Sequence, residues 1–200
     1  MTDQISAWLD SGGYLAIALL MFAENVFPPI PSEIVMPLAG YAASRGDLSL
    51  WGVTLAGSIG SLAGALFWYA IGAWFGLTRL RGFAAKHGRW LTLSPKEVDA
   101  ADRWFDRYGG WAVLIGRLVP GVRTFISVPA GISDMPMGRF LLFTTIGTVA
   151  WTALLAAAGF WLGEEFDRVS VWMDPVTKVI LAVIVVSYVW RLVRWKRETD

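Results

Sequence analysis

Long apolar stretches separated by polar ones dominate the hydropathy pattern of the 200-residue chain. Residues 50–77 and 137–163 are long enough to cross a bilayer, which takes about 20 mostly apolar residues. The first carries no charge, and the second carries none after residue 139. A third stretch, residues 174–190, is shorter and contains Lys178, but flanking cations can extend towards the membrane surface. The pattern therefore predicts three transmembrane helices.

Two further apolar stretches, residues 12–44 and 109–132, are interrupted by prolines and charges. Proline removes a backbone donor and breaks a helix, so each half is about 8–12 residues long and too short to cross. Each stretch is predicted to be a re-entrant hairpin, because broken backbone at membrane depth is tolerated where protein or water covers it. We expect the two tips to meet around a polar cavity. The residues assigned to tip structure are Pro28, Pro29, Pro31, Pro120, Pro129 and Gly131.

The chain also contains a weak internal repeat. Residues 57–76 align without gaps on residues 144–163. The identical pairs are Ile59/Ile146, Gly60/Gly147, Ala63/Ala150, Ala70/Ala157, Gly72/Gly159, Trp74/Trp161 and Gly76/Gly163. Matching segments interrupted by proline and glycine in two repeats are typical of a transporter's binding site. Chance similarity between two apolar helices is the alternative.

The distribution of cations gives an orientation. Residues 78–108 form a basic linker and residues 191–200 a basic tail, and together they hold most of the 17 lysines and arginines. A hairpin returns to its own side, so linker and tail lie on one side, which the positive-inside rule makes cytoplasmic. The N-terminus, with residues 1–11 at the interface, then lies outside. The linker contains either an amphipathic surface helix beginning near Pro95 or a solvated connector.

This orientation makes the two hairpins enter from opposite faces. The sequence therefore predicts an all-α membrane protein with a single domain over residues 1–200. It consists of two inverted repeats, each a re-entrant helical hairpin plus a transmembrane helix, and an additional C-terminal transmembrane helix.

Ionisable residues inside the predicted hairpins are the strongest candidates for function. The first hairpin supplies Glu24 and Glu33, and the second supplies Arg117 and Arg123. A charge at the membrane centre costs about 2.5–3.5 kcal/mol on insertion scales, so such residues usually pair inside the protein. One interpretation is a structural ion-pair network. The other is a site for an ion or an anionic headgroup, in which the arginines bind a phosphate.

Proton coupling through a buried glutamate is a further hypothesis. Burial and a neighbouring arginine act on the pKa of a carboxyl group in opposite directions, and the sequence leaves open which dominates. Asn25 and Thr124 are additional candidates, as cavity-lining groups or as caps of broken helices. Substrate, direction, coupling ion and oligomeric state stay open, and a homo-oligomer is one alternative.

Composition narrows the remaining classes. The chain has no cysteine and a single histidine, His87, so thiolate and multi-histidine metal sites are excluded. No phosphate loop or Ser-His-Asp set is present, and we expect neither an enzyme, a cofactor nor a nucleic-acid partner. The mean hydropathy of +0.52 and the 12 tryptophans favour membrane lipids as the surroundings.

Two motifs resemble those of a known family. The first is Glu24-Asn25-x-x-Pro28-x-x-Pro31-Ser32-Glu33. The second is Gly116-Arg117-Leu118-Val119-Pro120-Gly121-Val122-Arg123-Thr124, followed by Ala130-Gly131. Together with the glycine-rich segment 57–76, they resemble the DedA family, also called the VTT or SNARE-associated Golgi protein family. Many members carry an aspartate in that glycine-rich helix, which this chain lacks.

The resemblance implies inverted repeats with re-entrant hairpins, residence in the bacterial cytoplasmic membrane, and essential charges at Glu24, Glu33, Arg117 and Arg123. It also implies transport of undecaprenyl phosphate, or lipid scrambling in eukaryotic relatives. We therefore expect a lipid-phosphate translocase, coupled to protons through Glu24 or Glu33. The alternatives are a phospholipid scramblase, a proton-coupled small-solute transporter and a non-transporting membrane-homeostasis scaffold.

Overall fold

The computed structural model describes residues 2–27, 32–91, 95–119 and 122–162, and every regular element in these ranges is an α-helix. The helices are α1 (Thr2–Val26), α2 (Ser32–Ser44), α3 (Leu50–Leu91), α4 (Pro95–Arg117), α5 (Val122–Phe125), α6 (Ser127–Ile132) and α7 (Met137–Leu162). The expected span 174–190, the tail 191–200 and Pro28, Pro29, Pro31 and Pro120 lie outside the described residues.

Two of the helices in the described ranges are long and apolar enough to cross a membrane. They contain the stretches Leu50–Ala85 in α3 and Met137–Leu162 in α7. Helix α3 continues beyond its uncharged part, but Gly76 has a φ of 71°, a conformation that residues with a Cβ rarely adopt. The regular helical backbone of α3 is therefore interrupted close to where its uncharged part ends. A similar break occurs in α1 at Gly13, which has a φ of 50°.

The remaining helices are shorter, and they contain two prolines and one glycine of the predicted hairpins. Helix α2 has 13 residues, or about 20 Å at ~1.5 Å per residue, which is less than the ~30 Å hydrocarbon core. Pro37 does not interrupt α2; it is fully buried, and its packing offsets one lost hydrogen bond. Pro129 and Gly131 lie inside α6 rather than at a tip. Pro129 falls in the first turn of α6, where a missing N–H costs little.

The interior is divided along the two long helices. One apolar cluster includes Val53 of α3 and Ala156 of α7, packed with residues of α1 and α2. The other includes Tyr69 of α3 and Phe140 of α7, packed with residues of α4 and α6. Because the clusters come in opposite order along α3 and α7, these helices run antiparallel. Buried hydroxyl-bearing residues occupy the middle of both helices, between the clusters.

Large apolar side chains cover much of the outer surface. Trp51 near the start of α3 and Trp161 near the end of α7 are each 81% exposed, and Trp74 is also exposed. The antiparallel arrangement brings Trp51 and Trp161 to one end of the bundle, while Trp74 lies towards the other. Tryptophan favours the membrane–water interface, and extensive exposed apolar surface is unusual for a soluble monomer.

Glycines allow the helices to approach closely at four crossings. A Cβ on Gly60 would collide with the carbonyl oxygen of Ala18 in α1, and one on Gly147 would lie 2.7 Å from the Cβ of Arg117 in α4. Two further crossings join α2 to α7 and α3 to α6, again with a glycine against a backbone carbonyl. Small residues at helix crossings are the usual means of close packing in membranes, where lipid offers no hydrophobic drive for association.

We predict that Gly159→Ala destabilises the fold, because its new methyl group would collide with the backbone carbonyl of Pro37 in α2. Overpacking of this kind typically costs about 1–3 kcal/mol. Gly138→Ala is the matched control on the same helix, since nothing lies within 4 Å of the position where its Cβ would be. Thermal unfolding of the purified protein in detergent should show a lower Tm for Gly159→Ala alone. Equal Tm values for the two variants would contradict the close crossing.

Candidate functional site

A buried polar layer separates the two apolar clusters. Its members come from all seven helices that the structure describes, and all are less than 9% exposed. They are Glu24, Asn25, Ser32, Ser58, Ser61, Arg117, Arg123, Thr124, Ser127, Thr144, Thr148 and Thr152. Burying polar groups without partners is costly, so the hydrogen bonds within this layer determine what it can do.

An ion pair between Glu24 and Arg123 is the central contact of the layer. The Arg123 guanidinium donates to Oε1 of Glu24, joining α1 to α5 across 99 residues of sequence. Each side chain is 5% exposed. The second carboxylate oxygen of Glu24, Oε2, is buried and has no protein partner. The pair thus joins the two predicted hairpins and leaves one acceptor unused.

Arg117 has a different environment. It is the last residue of α4 and is 2% exposed, and its guanidinium donates to the hydroxyl of Ser127 in α6. A cation at a helix C-terminus interacts favourably with the helix dipole. Among the described residues no carboxylate forms an ion pair with Arg117, and its Nε is buried without a partner. A buried arginine with a spare donor can bind an anion.

Helix α7 packs against Arg117 along a stretch that carries two hydroxyl groups. Gly147 lies against the stem of Arg117, and Thr144 and Thr148 lie three residues before Gly147 and one residue after it. The hydroxyl oxygens of Thr144 and Thr148 are buried and lack partners. This part of the layer therefore combines one cation with two hydroxyl groups that are free to donate.

Asn25 holds the end of α1 against α3. Its side-chain nitrogen donates to the hydroxyl of Ser61 at 2.6 Å, and its backbone carbonyl accepts from the indole of Trp68 at 2.8 Å. Gly64 makes room for the Asn25 Cβ. One turn before Ser61 on α3, the hydroxyl of Ser58 lies 2.8 Å from that of Thr152 and joins α3 to α7.

The structure brings together five of the six proposed binding residues. Glu24, Asn25, Arg117, Arg123 and Thr124 all belong to the polar layer. Glu33, in the first turn of α2, is partly exposed, and no described cation forms an ion pair with it. Arginine pairing was therefore found for Glu24 and not for Glu33.

Sequence reasoning missed the hydroxyl groups on the long helices. Thr144, Thr148 and Thr152 recur every four residues, which places them on one face of α7. Ser58 and Ser61 are three residues apart on α3 and share a face in the same way. Regular polar positions in an otherwise apolar helix were the available signal, but threonine and serine are small enough to be overlooked in a hydropathy pattern.

Comparison with known proteins gives consistent matches. The sequence pattern of the VTT domain matches residues 30–161. Undecaprenyl phosphate transporter A of Staphylococcus aureus is 32% identical over 98% of this chain and 96% of its own length. The Bacillus subtilis protein of the same name is 35% identical over 94% of this chain and 91% of its own. A Lactococcus lactis subsp. cremoris protein named alkaline phosphatase-like is 33% identical over 99% and 93%. No solved structure matches.

We predict that the Glu24–Arg123 pair is strongly coupled. Glu24→Gln or Arg123→Gln alone leaves a buried charge unpaired, a change that typically costs about 3–5 kcal/mol. The free energy of unfolding should fall much less in the double variant than the sum of its decreases in the two single variants. Unfolding in detergent measures all three variants.

Arg81 and Asp99 provide the control pair. They too form an ion pair between two helices, in this case α3 and α4, but their side chains are partly exposed. Exposed pairs contribute about 0–1 kcal/mol, so Arg81→Gln should change stability little. Additive losses in the Glu24 and Arg123 variants, as for two independent sites, would contradict the buried pair.

Proposed function

The chain belongs to the DedA family of VTT-domain membrane proteins, and on that premise we propose that it translocates a lipid phosphate across the cytoplasmic membrane. The candidate substrate is undecaprenyl phosphate, which two relatives of nearly the same length carry in their names. One observation carries the proposal for this chain. Arg117 is buried in the polar layer with an unused donor, and the stretch of α7 packed against it carries two unpartnered threonine hydroxyls.

A phosphate monoester fits this set of groups. Its oxygens accept hydrogen bonds, and the free groups near Arg117 are donors: the guanidinium Nε and the hydroxyls of Thr144 and Thr148. Arginine keeps its charge when buried and presents a planar fork to phosphate. In this proposal Arg117 holds the headgroup, and Arg123 contributes positive charge while paired with Glu24.

We also propose that the fold consists of two inverted repeats with re-entrant hairpins. Two equivalent glycine contacts support this. Gly72 of α3 packs on the carbonyl of Val128 in α6, and Gly159 of α7 packs on the carbonyl of Pro37 in α2. Gly72 and Gly159 are paired in the repeat alignment. Each long helix thus packs on the second arm of the other repeat.

A second pair of glycine contacts is related by the repeat alignment in the same way. Gly131 of α6 packs on the carbonyl of Tyr69 in α3, and Gly40 of α2 packs on that of Ala156 in α7. The repeat alignment places Tyr69 opposite Ala156. Chance similarity between two apolar helices gives no reason for matched contacts of this kind. In this proposal residues 12–44 and 109–132 are the two hairpins. The excess of lysine and arginine in residues 78–108 and 191–200 supports a cytoplasmic C-terminus and an N-terminus outside.

Inverted repeats supply a mechanism of transport. Each apolar cluster closes the polar layer from one end of the bundle, so opening one cluster at a time exposes Arg117 to one side of the membrane and then to the other. The lipid chain stays in the apolar phase while the headgroup passes through the layer. Glu24 exchanges a proton during this change, because its unpaired oxygen is available whenever the layer opens to water.

A phosphatase is the second candidate, because relatives in Lactococcus lactis are named alkaline phosphatase-like. The described residues contain no group of three or more His, Cys, Asp or Glu side chains arranged to hold a metal ion. The two functions differ in their product: a translocase moves undecaprenyl phosphate intact, whereas a phosphatase releases inorganic phosphate. Both products are measured in one liposome assay.

We predict that the purified protein moves undecaprenyl phosphate across liposome membranes without releasing phosphate. Arg117→Gln should reduce the rate about tenfold or more, since a charge-assisted bond to phosphate contributes about 1.5–3 kcal/mol. Arg139→Gln on α7 is the control, because Arg139 is exposed and lies outside the polar layer. Movement unaffected by Arg117→Gln would contradict the assigned site. Phosphate release would favour the phosphatase.

A proton gradient provides a separate test. In liposomes that contain the wild-type protein, the transport rate should depend on the direction of the proton gradient, because Glu24 carries a proton in one direction of the transport cycle. Glu24→Gln in protein that stays folded should abolish that response, whereas Glu33→Gln should preserve it, since Glu33 lies outside the buried layer. A rate that ignores the gradient in wild type would indicate a scramblase, and no movement would favour a small-solute transporter or a scaffold.

A further inference from the structure

An apolar groove runs along the outer side of α4. Its volume is about 510 Å³, and its walls are α4 and the segment from Val122 to Ile126. On α4 the lining side chains recur at helical spacing, from Trp104 through Tyr108 to Ile115, and Val119 follows the end of the helix. The polar side-chain atoms of the lining residues are limited to the indole nitrogens of Trp104 and Trp111 and the hydroxyl of Tyr108.

The groove adjoins the polar layer at three points. Gly116, Val122 and Ile126 line it, and each is followed in sequence by a residue of the layer: Arg117, Arg123 and Ser127. The same short elements therefore face the groove on one side and the charges on the other. Val119 and Val122 are joined by a backbone hydrogen bond and line the part of the groove farthest along the chain from Trp104.

We propose that this groove binds the first part of the hydrocarbon chain of the transported lipid phosphate, close to its headgroup. The inference rests on the proposed function. A lipid phosphate has an anionic head joined directly to an apolar chain, and the protein offers a cationic layer joined directly to an apolar groove. The aromatic rings of Trp104, Tyr108 and Trp111 form the far end, where the chain leaves the protein for the bilayer.

The volume of the groove limits how much of the hydrocarbon chain it can hold. At about 30 Å³ per carbon with its hydrogens, comparable to the volume per molecule of liquid water, 510 Å³ holds roughly 17 carbons. That is a little more than three five-carbon isoprene units. Affinity should therefore depend on the first three or four units and be insensitive to those beyond them.

The test uses Ile115→Trp, which fills the groove from a side chain that is 59% exposed and therefore tolerates enlargement. Leu154→Trp is the matched control, a 61% exposed leucine of α7 that does not line the groove. Val122→Trp gives a second filled variant in case the first fails to fold. Binding in detergent is measured for inorganic phosphate and for isoprenyl phosphates of increasing chain length, with 10, 20 and 55 carbons as the probes.

For inorganic phosphate we expect equal affinities in wild type and Ile115→Trp. The ratio of wild-type to variant affinity should rise for the 10-carbon probe and reach about tenfold for the 20-carbon probe, with no further rise at 55 carbons. Leu154→Trp should behave as wild type. A ratio of one at every length, a ratio that continues to rise to 55 carbons, or an equal loss for inorganic phosphate would each overturn the inference.

A photoreactive amino acid at Ile115 identifies the occupant directly. In membranes, cross-linking to undecaprenyl phosphate that an excess of that lipid displaces supports the inference. Cross-linking to bulk phospholipid that the excess leaves unchanged, or to residues 174–190 of the same chain, would overturn it. The Arg117→Gln variant separates this failure from that of the proposed function. If Arg117→Gln abolishes binding and Ile115→Trp has no effect, only the groove is misassigned; if Arg117→Gln also has no effect, the headgroup site is wrong.

Discussion

The ion pair between Glu24 and Arg123 determines how the two halves of this protein meet. Either charge alone would be very costly at the depth of the polar layer, so the helices that carry them must come together. Once α1 and α5 are joined, Asn25 reaches Ser61 and Arg117 reaches Ser127. The layer thus combines one ion pair between residues 99 positions apart with hydrogen bonds that join other pairs of helices.

Glycine makes that meeting possible. In lipid, helices gain little from burying apolar side chains against one another, so stability comes from close contact between backbones. The glycines at the crossings of α2 with α7 and α3 with α6 let backbone touch backbone. Ion pair and glycines act together: the charges specify which segments meet, and the glycines let those segments come close enough for the charges to be shielded from lipid.

Much of this arrangement could be predicted from the sequence, for physical reasons. Opposite charges in two broken apolar stretches have few ways to be neutralised in a membrane, so a contact of the Glu24–Arg123 type follows from the positions of the charges. The start of α4 at Pro95 follows from local backbone chemistry in the same way.

Other features depend on tertiary contacts that the sequence does not display. Pro37 remains inside α2 because packing around it offsets the lost hydrogen bond, and no local rule reveals that packing. Glu33 resembles Glu24 in sequence context, but it lies in a different helix and is partly exposed. The hydroxyls of Thr144 and Thr148 matter because the stretch of α7 that carries them packs against Arg117, which becomes apparent only when α4 and α7 are placed together.

The position of the two apolar clusters has a consequence for the integrity of the membrane. A membrane protein with buried charges can leak ions. Water that reaches those charges from both faces of the membrane at once forms a continuous conducting path. In this protein one apolar cluster lies on each side of the polar layer, the first around Val53 and the second around Tyr69. A cell can therefore maintain its electrochemical gradient across this protein as long as the two apolar clusters never open at the same time.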